Sequence, residues 1–201
     1  MPGAGDRVRV VSEGTRKDVM KTVIYYFTGT GNTLAVARLL AAELGKTTLI
    51  PLRRAIHYGA CAPKADAVGI AFPVHFLNMP AIVRRFVFGI LFQDQPFIFG
   101  LATCGERPGG ALFRLQELLE EKGYSLSAGY ALVMPENFIG PVDLTGDAPC
   151  RAGKYAVAKE RIPSVAAAIR EQKVTVPDGD NSGLLKFGGR ITRFLATDVY
   201  R

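Results

Sequence analysis

One short stretch near the N-terminus constrains the fold most, because an apolar run ends abruptly in a Thr- and Gly-rich loop. Residues 22–27 are continuously apolar or β-branched, and the loop Thr28-Gly29-Thr30-Gly31-Asn32-Thr33 follows directly. From Asn32 to Leu44 apolar residues recur at helical spacing, and Gly45 is a typical residue to end that helix. A strand, a polar loop and a helix start form an anion site, because the first helical N–H groups lack backbone partners. The loop contains no Lys or Arg, so neutral hydroxyls and amides would hold the anion.

The rest of the chain alternates strand patterns with helix patterns, which favours a parallel, doubly wound sheet. Residues 53–64 are predicted to form a loop, and a second, rigid loop lies between Pro73 and Pro80. Pro163 would kink or divide the last helix. Further strands are predicted at 47–52, 65–72, 96–103 and 126–134, and further helices at 81–88, 111–122 and 151–172.

Three parts of the chain differ in character. Residues 1–19 lack clear periodicity and are predicted to be a flexible leader. Residues 20–176 would form the domain. Residues 177–201 form a basic amphipathic segment whose apolar side chains either pack on the domain or belong to a linker.

Composition and charge make several classes of protein less plausible. The net charge is +7, but acidic residues are interleaved with the basic ones, so we expect no nucleic-acid binding. Arg84 and Arg85 interrupt the best apolar run, so we expect no membrane span. The three cysteines, Cys61, Cys104 and Cys150, are widely spaced and predict neither a disulfide framework nor a metal site. A cytoplasmic location is therefore expected. The oligomeric state stays open.

The anion loop does not match three common phosphate-binding patterns. The dinucleotide pattern requires a third Gly where this chain has Leu34. Gly45-Lys46-Thr47 looks like the end of a Walker A loop, but such a loop requires Gly where this chain has Leu40. No cysteine is followed six positions later by Arg, so the phosphatase loop is absent as well. A terminal phosphate monoester is the anion that remains.

Two more polar or Gly-rich loops follow predicted strands, at residues 73–78 and 103–110. In an open parallel sheet, ligands bind outside the carboxyl ends of the strands, near the point where strand order reverses. We therefore expect these two loops and the anion loop to converge on one site.

The loop Thr28–Thr33, placed after the first strand, closely resembles the FMN-phosphate loop of the flavodoxin family. The resemblance covers about residues 21–172 and implies a flavodoxin-like three-layer α/β sandwich with a five-stranded parallel sheet in order 2-1-3-4-5. Pro135-Glu136-Asn137-Phe138 and the basic C-terminal segment resemble one subgroup, in which a ferredoxin domain with two [4Fe–4S] clusters follows. This chain has no Cys-x-x-Cys run, so it cannot build those clusters itself.

The resemblance implies non-covalent FMN as the cofactor and a set of binding residues, with no catalytic residue and no metal ligand. Residues 28–33 would hold the phosphate, and the other two loops would flank the flavin ring. Asn78 is the residue of its loop that most readily tolerates a left-handed conformation. Residues 73–78, including His75, would flank one side of the ring, and Phe76 is the nearest aromatic that would stack on it. The alternative is that Phe76 packs in the core and His75 caps a loop. The implied residues are Thr28, Gly29, Thr30, Gly31, Asn32, Thr33, Pro73, Val74, His75, Phe76, Leu77, Asn78, Thr103, Cys104, Gly105, Gly109 and Gly110.

The function that follows from this resemblance is electron transfer through bound FMN, with a redox protein such as a ferredoxin or another iron–sulfur protein as partner. One alternative is an FMN-dependent NAD(P)H:quinone-type reductase on the same scaffold. A second alternative, from a different class, is a flavin-free interaction module. No acid–base pair or nucleophile stands out, which favours a carrier over an enzyme with its own catalytic side chains.

Overall fold

The computed structural model describes residues 20–58, 62–136 and 145–180. The predicted leader, Cys61, the Asn137-Phe138 part of the subgroup motif and residues 181–201 lie outside the described ranges. Within those ranges, no helix has the length and apolar character needed to cross a membrane.

A five-stranded parallel sheet forms the centre of the molecule, in the order β2-β1-β3-β4-β5. This confirms the predicted sheet and its order. β4 is buried along its whole length, since helices cover both faces of the sheet. The strands are β1 (Thr22–Tyr26), β2 (Thr47–Pro51), β3 (Ala67–Pro73), β4 (Phe97–Cys104) and β5 (Ala128–Val133).

Five helices cover the two faces of the sheet and complete a three-layer sandwich. They are α1 (Asn32–Leu44), α2 (Leu52–Tyr58), α3 (Ala81–Gly89), α4 (Ala111–Glu121) and α5 (Ala148–Arg170). The apolar residues of α1 and α5 pack on one face of the sheet, and those of α2, α3 and α4 pack on the other. Side chains of each strand alternate between these two cores, as the period of two in a strand requires.

Two helices differ from the sequence prediction. α2 occupies part of the predicted loop 53–64; the reason is that Leu52, Ala55 and Ile56 pack against the core at helical spacing. α5 continues past Pro163 as one helix, and Pro163 lies on its exposed side. The helix also starts earlier than predicted, because the Asp147 carboxylate accepts a 2.8 Å hydrogen bond from the Cys150 N–H and caps the first turn.

The outer edge of β5 is covered by residues 173–180, which we call the edge segment. The N–H groups of Thr175 and Asp178 donate to the carbonyls of Ser127 and Gly129 at 3.0 and 2.9 Å. The Asp178 carboxylate accepts from the Ala131 N–H at 2.9 Å. These contacts attach the edge segment to β5, and they protect an otherwise open strand edge.

The edge segment ends at the Gly-rich loop that follows β4. The Asp180 N–H donates a 3.1 Å hydrogen bond to the Gly109 carbonyl, and Gly179 packs closely on the same carbonyl. Arg161 of α5 holds the segment from the other side through a 2.6 Å ion pair with Asp178. The edge segment therefore links α5 and β5 to the carboxyl edge of the sheet.

Candidate functional site

A cavity of about 90 Å³ lies at the carboxyl edge of the sheet, where the chain leaves β1, β3, β4 and β5. β1 has β2 on one side and β3 on the other, so the strand order reverses at this place. Such a reversal is where doubly wound sheets bind ligands. The lining residues are Thr28, Gly29, Thr30, Asn32, Thr33, Pro73, Val74, His75, Thr103, Cys104, Gly105, Met134, Pro135 and Glu136.

The loop between β1 and α1 presents an uncapped helix start to this cavity. Gly31 has φ 103°, a left-handed conformation that favours glycine, and no side chain caps α1. The first helical bond runs from the Ala35 N–H to the Gly31 carbonyl at 2.9 Å. The N–H groups of residues 32–34 therefore have no acceptor within the helix, and the helix dipole adds partial positive charge.

Side chains of this loop also fix its position. The Thr28 hydroxyl oxygen accepts a 3.0 Å bond from the Gly31 N–H, which shapes the turn. The Asn32 side-chain amide donates to the Pro135 carbonyl at 2.8 Å. Thr33 and Thr103, both buried, share a 2.8 Å bond between their hydroxyls. The predicted donors Asn32 and Thr33 therefore use their side chains to join the start of α1 to the segment after β5 and to the end of β4.

The loop after β3 contains a tight turn whose two central residues are left-handed. His75 and Asn78 exchange backbone hydrogen bonds of 2.8 and 3.0 Å, and Phe76 and Leu77 have φ values of 49° and 60°. This geometry is that of a type I′ turn, which usually contains Asn and Gly at these positions. The sequence analysis expected Asn78 to be the left-handed residue, but the left-handed residues are Phe76 and Leu77. The reason is that His75 pairs with Asn78, which places Phe76 and Leu77 at the tip of the turn.

Phe76 and Leu77 project into solvent, with 58% and 42% of their surface exposed. The alternative that Phe76 packs in the core is therefore wrong. His75 lies at the rim of the cavity with its ring edge-on to that of Phe27, at 6.3 Å between centroids. Although His75 is exposed overall, desolvation of its ring lowers the imidazole pKa. Neutral imidazole, which has one donor and one acceptor, is favoured at neutral pH.

The loop after β4 brings Cys104 and Gly105 to the cavity floor. The Cys104 thiol is buried, and this burial, with a smaller contribution from the nearby Glu136 carboxylate, raises its pKa to about 11. The Lys154 ammonium opposes part of that shift. The thiol therefore stays protonated at neutral pH, which does not suit a nucleophile.

Glu136 and Lys154 add charged groups around Gly105. Lys154 donates to the Gly105 carbonyl at 2.9 Å, and the Glu136 carboxylate occupies the space that a Cβ on Gly105 would need. Gly105 is thus held from two sides, by α5 and by the segment after β5. Among the residues that the structure describes, no group of His, Cys, Asp and Glu is arranged to hold a metal ion.

Several predicted binding residues do not line the cavity: Gly31, Phe76, Leu77, Asn78, Gly109 and Gly110. Gly110 and Gly109 instead brace the turn, since the Gly110 N–H donates to the Leu77 carbonyl at 3.2 Å and Gly109 packs against Leu77. Met134, Pro135 and Glu136 line the cavity but were not predicted. Their position directly after β5 indicates that they lie at the site, because all strands of a parallel sheet have their carboxyl ends at the same edge. The sequence analysis did not use this signal.

Comparisons with known proteins give no close relative. No protein-family model matches the sequence, and no curated protein matches it. Solved structures that resemble the chain include the flavodoxin of Streptococcus pneumoniae TIGR4, at 14% identity over 75% of this chain and 98% of that one, with a TM-score of 0.48. The two-electron reduced flavodoxin of Megasphaera elsdenii is 17% identical over 73% and 99% of the chains, with a TM-score of 0.45.

A third similar structure is the rubredoxin:oxygen oxidoreductase of Desulfovibrio gigas, at 16% identity over 76% of this chain and 36% of that one, with a TM-score of 0.45. All three TM-scores lie below 0.5, so we base the fold on the protein's own sheet. The narrower resemblance to flavodoxin–ferredoxin fusions stays a prediction. A five-stranded parallel sheet in order 2-1-3-4-5, with helices on both faces, is a flavodoxin-like α/β sandwich.

Proposed function

We propose that the protein binds FMN at the carboxyl edge of its sheet and carries electrons through it. The observation that carries this proposal is the convergence of an uncapped helix start with the loops after β3, β4 and β5 around one cavity. The sequence pattern Thr-x-Thr-Gly-Asn-Thr supplies the resemblance to FMN-phosphate loops, and the cavity lies where that resemblance requires a ligand.

The donor groups fit a phosphate monoester. The N–H groups at the start of α1, with the Thr28 and Thr30 side chains beside them, form a neutral cradle that lacks Lys and Arg. Backbone amides at a helix start hold anions well, because they are fixed in place and aligned with the dipole. The Glu136 carboxylate would repel a phosphate, but it is placed at Gly105, on the side of the cavity built by the loops after β4 and β5.

Bound FMN would supply the redox chemistry, accepting and releasing one or two electrons. The chain's own residues would orient the flavin and exclude water from it. Residues Pro73–His75 would line one side of the ring and Thr103–Gly105 the other. Neutral His75 and the Glu136 carboxylate offer hydrogen-bonding groups for the polar edge of the ring or for the sugar-alcohol chain. The protonated Cys104 thiol would act as a small, inert floor.

Binding of FMN and of riboflavin to the apoprotein tests this proposal, with flavin fluorescence quenching as the measurement. Riboflavin lacks the phosphate, so we expect it to bind at least about tenfold more weakly than FMN, a loss of about 1.4 kcal/mol or more. Thr30→Ala combined with Asn32→Ala should weaken FMN binding strongly and should reduce the preference over riboflavin. Thr48→Ala, at an exposed position of β2, is the control and should change neither.

A protein that refuses both flavins would exclude the carrier and the reductase alike, and would leave the interaction module. Oxidation of NADPH by the FMN-loaded protein without any partner would favour the reductase over the carrier.

A further inference from the structure

The surface built by α2 and α3 carries one sign of charge. Between Gly45 and Gln93 the chain contains six basic residues and one acidic residue, Asp66. Asp66 precedes β3 at the opposite edge of the sheet, where its carboxylate accepts a 2.7 Å bond from the Lys21 N–H. Four of the basic residues, Arg53, Arg54, Arg84 and Arg85, are exposed on α2 and α3. We call these four arginines the basic face.

The basic face lies on one side of the molecule and extends towards the cavity. α2 and α3 pack against each other and against the same core. Arg53 and Arg54 occupy the first turn of α2, directly after β2 reaches the carboxyl edge of the sheet. α3 begins just after the loop that contains the cavity residue His75, and Arg84 and Arg85 follow in its second turn.

The opposite side of the sheet is also basic, but it carries charges of both signs. There α1 and α5 carry Glu43 and Glu160 among their basic residues, and Arg170 forms an ion pair with Glu43 at 3.9 Å. A surface that carries basic side chains and no acidic ones attracts a partner of the opposite charge.

An apolar turn connects the cavity residue His75 to the segment that leads into α3. Phe76 and Leu77 are exposed at its tip and are held there in left-handed conformations that cost free energy. Arginine and aromatic side chains are enriched in the centres of protein interfaces, with polar residues around them. A nucleic acid would need only the arginines, whereas a protein surface can use both the arginines and the apolar tip.

We propose that the basic face, with Phe76 and Leu77 at its end, is the docking surface for an acidic redox protein. The inference rests on the proposed function, because it places the partner beside the site where the flavin would bind. Charge complementarity sets the partner's class: a protein with a carboxylate-rich surface around its own redox centre. The arginines would orient the encounter, and the apolar turn would pack against the partner next to the cavity.

Binding of the full-length protein to an immobilised acidic [2Fe–2S] ferredoxin tests the docking surface. The affinity is measured at 20, 100 and 300 mM salt, a range over which the Debye length falls about fourfold. The variant Arg53→Gln/Arg84→Gln/Arg85→Gln removes three charges from the basic face. The matched control Arg38→Gln/Lys159→Gln/Lys173→Gln removes three exposed charges from other parts of the molecule, and it lowers the net charge equally. Phe76→Asn combined with Leu77→Gly removes the apolar tip.

We expect the arginine variant to lose about tenfold or more in affinity and to show a weaker salt dependence, while the control changes by less than about threefold. The tip variant should raise the dissociation rate and leave the salt dependence as it is, because it removes packing and no charge. A basic cytochrome c should not bind to the wild-type protein.

Equal losses in the arginine variant and the control would overturn the proposal, since net charge alone would then explain binding. Tighter binding of a 20-base-pair DNA duplex than of the ferredoxin, abolished by the same arginine changes, would also overturn it. The ferredoxin measurement does not require FMN. A protein that docks but binds no flavin would therefore refute the proposed function alone, and one that binds FMN but does not dock would refute this inference alone.

Discussion

The buried hydroxyls of Thr33 in α1 and Thr103 in β4 form a hydrogen bond with each other, at 2.8 Å. Thr33→Val or Thr103→Val alone would leave one hydroxyl buried without a partner, which costs about 1–3 kcal/mol. The double substitution removes both groups and should cost much less than the sum of the two single ones. Urea unfolding of the apoprotein measures the three free energies of unfolding.

Thr22 provides the control for that cycle. Its hydroxyl is buried and has no hydrogen-bond partner among the residues that the structure describes. Thr22→Val should therefore leave the free energy of unfolding unchanged or raise it. Equal losses for all three single variants would show that the Thr33–Thr103 bond does not stabilise the contact between α1 and β4.

Cys104 and Cys150 should differ sharply in reactivity towards iodoacetamide. Cys150 is exposed, whereas the Cys104 thiol is buried with its pKa raised to about 11. At pH 8 we expect alkylation of Cys150 and almost none of Cys104, because the thiolate is the reacting form. Peptide mass spectrometry after timed labelling distinguishes the two residues.

Two substitutions of charged residues near Cys104 should shift its pKa in opposite directions. Glu136→Gln should lower the Cys104 pKa and speed its alkylation at pH 9, whereas Lys154→Gln should raise the pKa and slow it.

The raised pKa of Cys104 also predicts how the free energy of unfolding depends on pH. Between about 9 and 11 the unfolded chain loses this proton and the folded chain keeps it, so this thiol lowers stability as the pH rises. Alkylation of Cys104 as fast as that of Cys150 would contradict the buried position.

Single residues of the site were the hardest part to infer from the sequence. The sequence analysis predicted that Thr28–Thr33, His75 and Cys104 lie together at the carboxyl edge of the sheet, and they do. This was predictable because strand ends and polar loops are recognised from local sequence. The sequence analysis missed Glu136, and it did not show that Asn32 and Thr33 use their side chains on Pro135 and on Thr103. Those bonds join residues 70 or more positions apart, which local patterns do not encode.

At the scale of elements, the turn from His75 to Asn78 retains residues that do not suit its backbone. Phe76→Asn with Leu77→Gly would supply the residues that type I′ turns favour, so the free energy of unfolding should rise by about 1 kcal/mol or more. Thermal and urea unfolding measure the change. Leu91→Asn also removes an exposed apolar side chain, but from a residue without positive φ, and should give no such gain.

A destabilised Phe76→Asn/Leu77→Gly variant would mean that Phe76 and Leu77 contribute to stability through contacts that outweigh their conformational cost. A stabilised variant would instead indicate that the wild-type residues are kept for another reason. Docking of a partner protein is one such reason, and it is measured separately from stability.

The elements themselves were predictable to different degrees. α1 was predicted with the bounds that the structure has, because its loop, its apolar spacing and Gly45 all agree. α2 was not, since it has only seven residues and its apolar positions gain their meaning from packing on the sheet. α5 persists through Pro163 because Ile162, Val165 and Ile169 bury one face of the helix around it.

At the scale of the whole molecule, close packing between layers leaves no space at Gly69 in the centre of β3. A Cβ added there would lie 2.5 Å from the ring of Phe99 on β4. Gly69→Ala should therefore lower the free energy of unfolding by about 1–3 kcal/mol, through overpacking of the core beneath α1 and α5. Urea unfolding at equilibrium measures this loss.

Gly153 is the matched control for Gly69. It lies within α5, with nothing within 4 Å of an added Cβ. Gly153→Ala should raise the free energy of unfolding by about 0.5–1 kcal/mol, because alanine favours the helix. A gain at Gly69 similar to that at Gly153 would show that the layers are more loosely packed than their geometry indicates.

The order of the whole sheet was predictable because it depends on few choices. Alternating strands and helices imply parallel neighbouring strands joined by right-handed crossovers. The resemblance of the first loop then indicated which of the remaining strand orders to expect. The course of residues 177–180 along β5 was not predictable in the same way. Pro177, Asp178 and Gly179 form a pattern typical of a turn, and only the exposed edge of β5 gives them a place to bind.

The hydrogen bond from Asp180 to Gly109 has a consequence for molecular tethering. The chain after Asp180 starts beside the loop that braces the turn at the cavity rim. A protein joined there by a short flexible linker, in place of residues 181–201, would be held near the site at an effective concentration of the order of millimolar. Even a weak docking surface would then be occupied most of the time. A redox partner joined at this point would need no change in the residues that bind it.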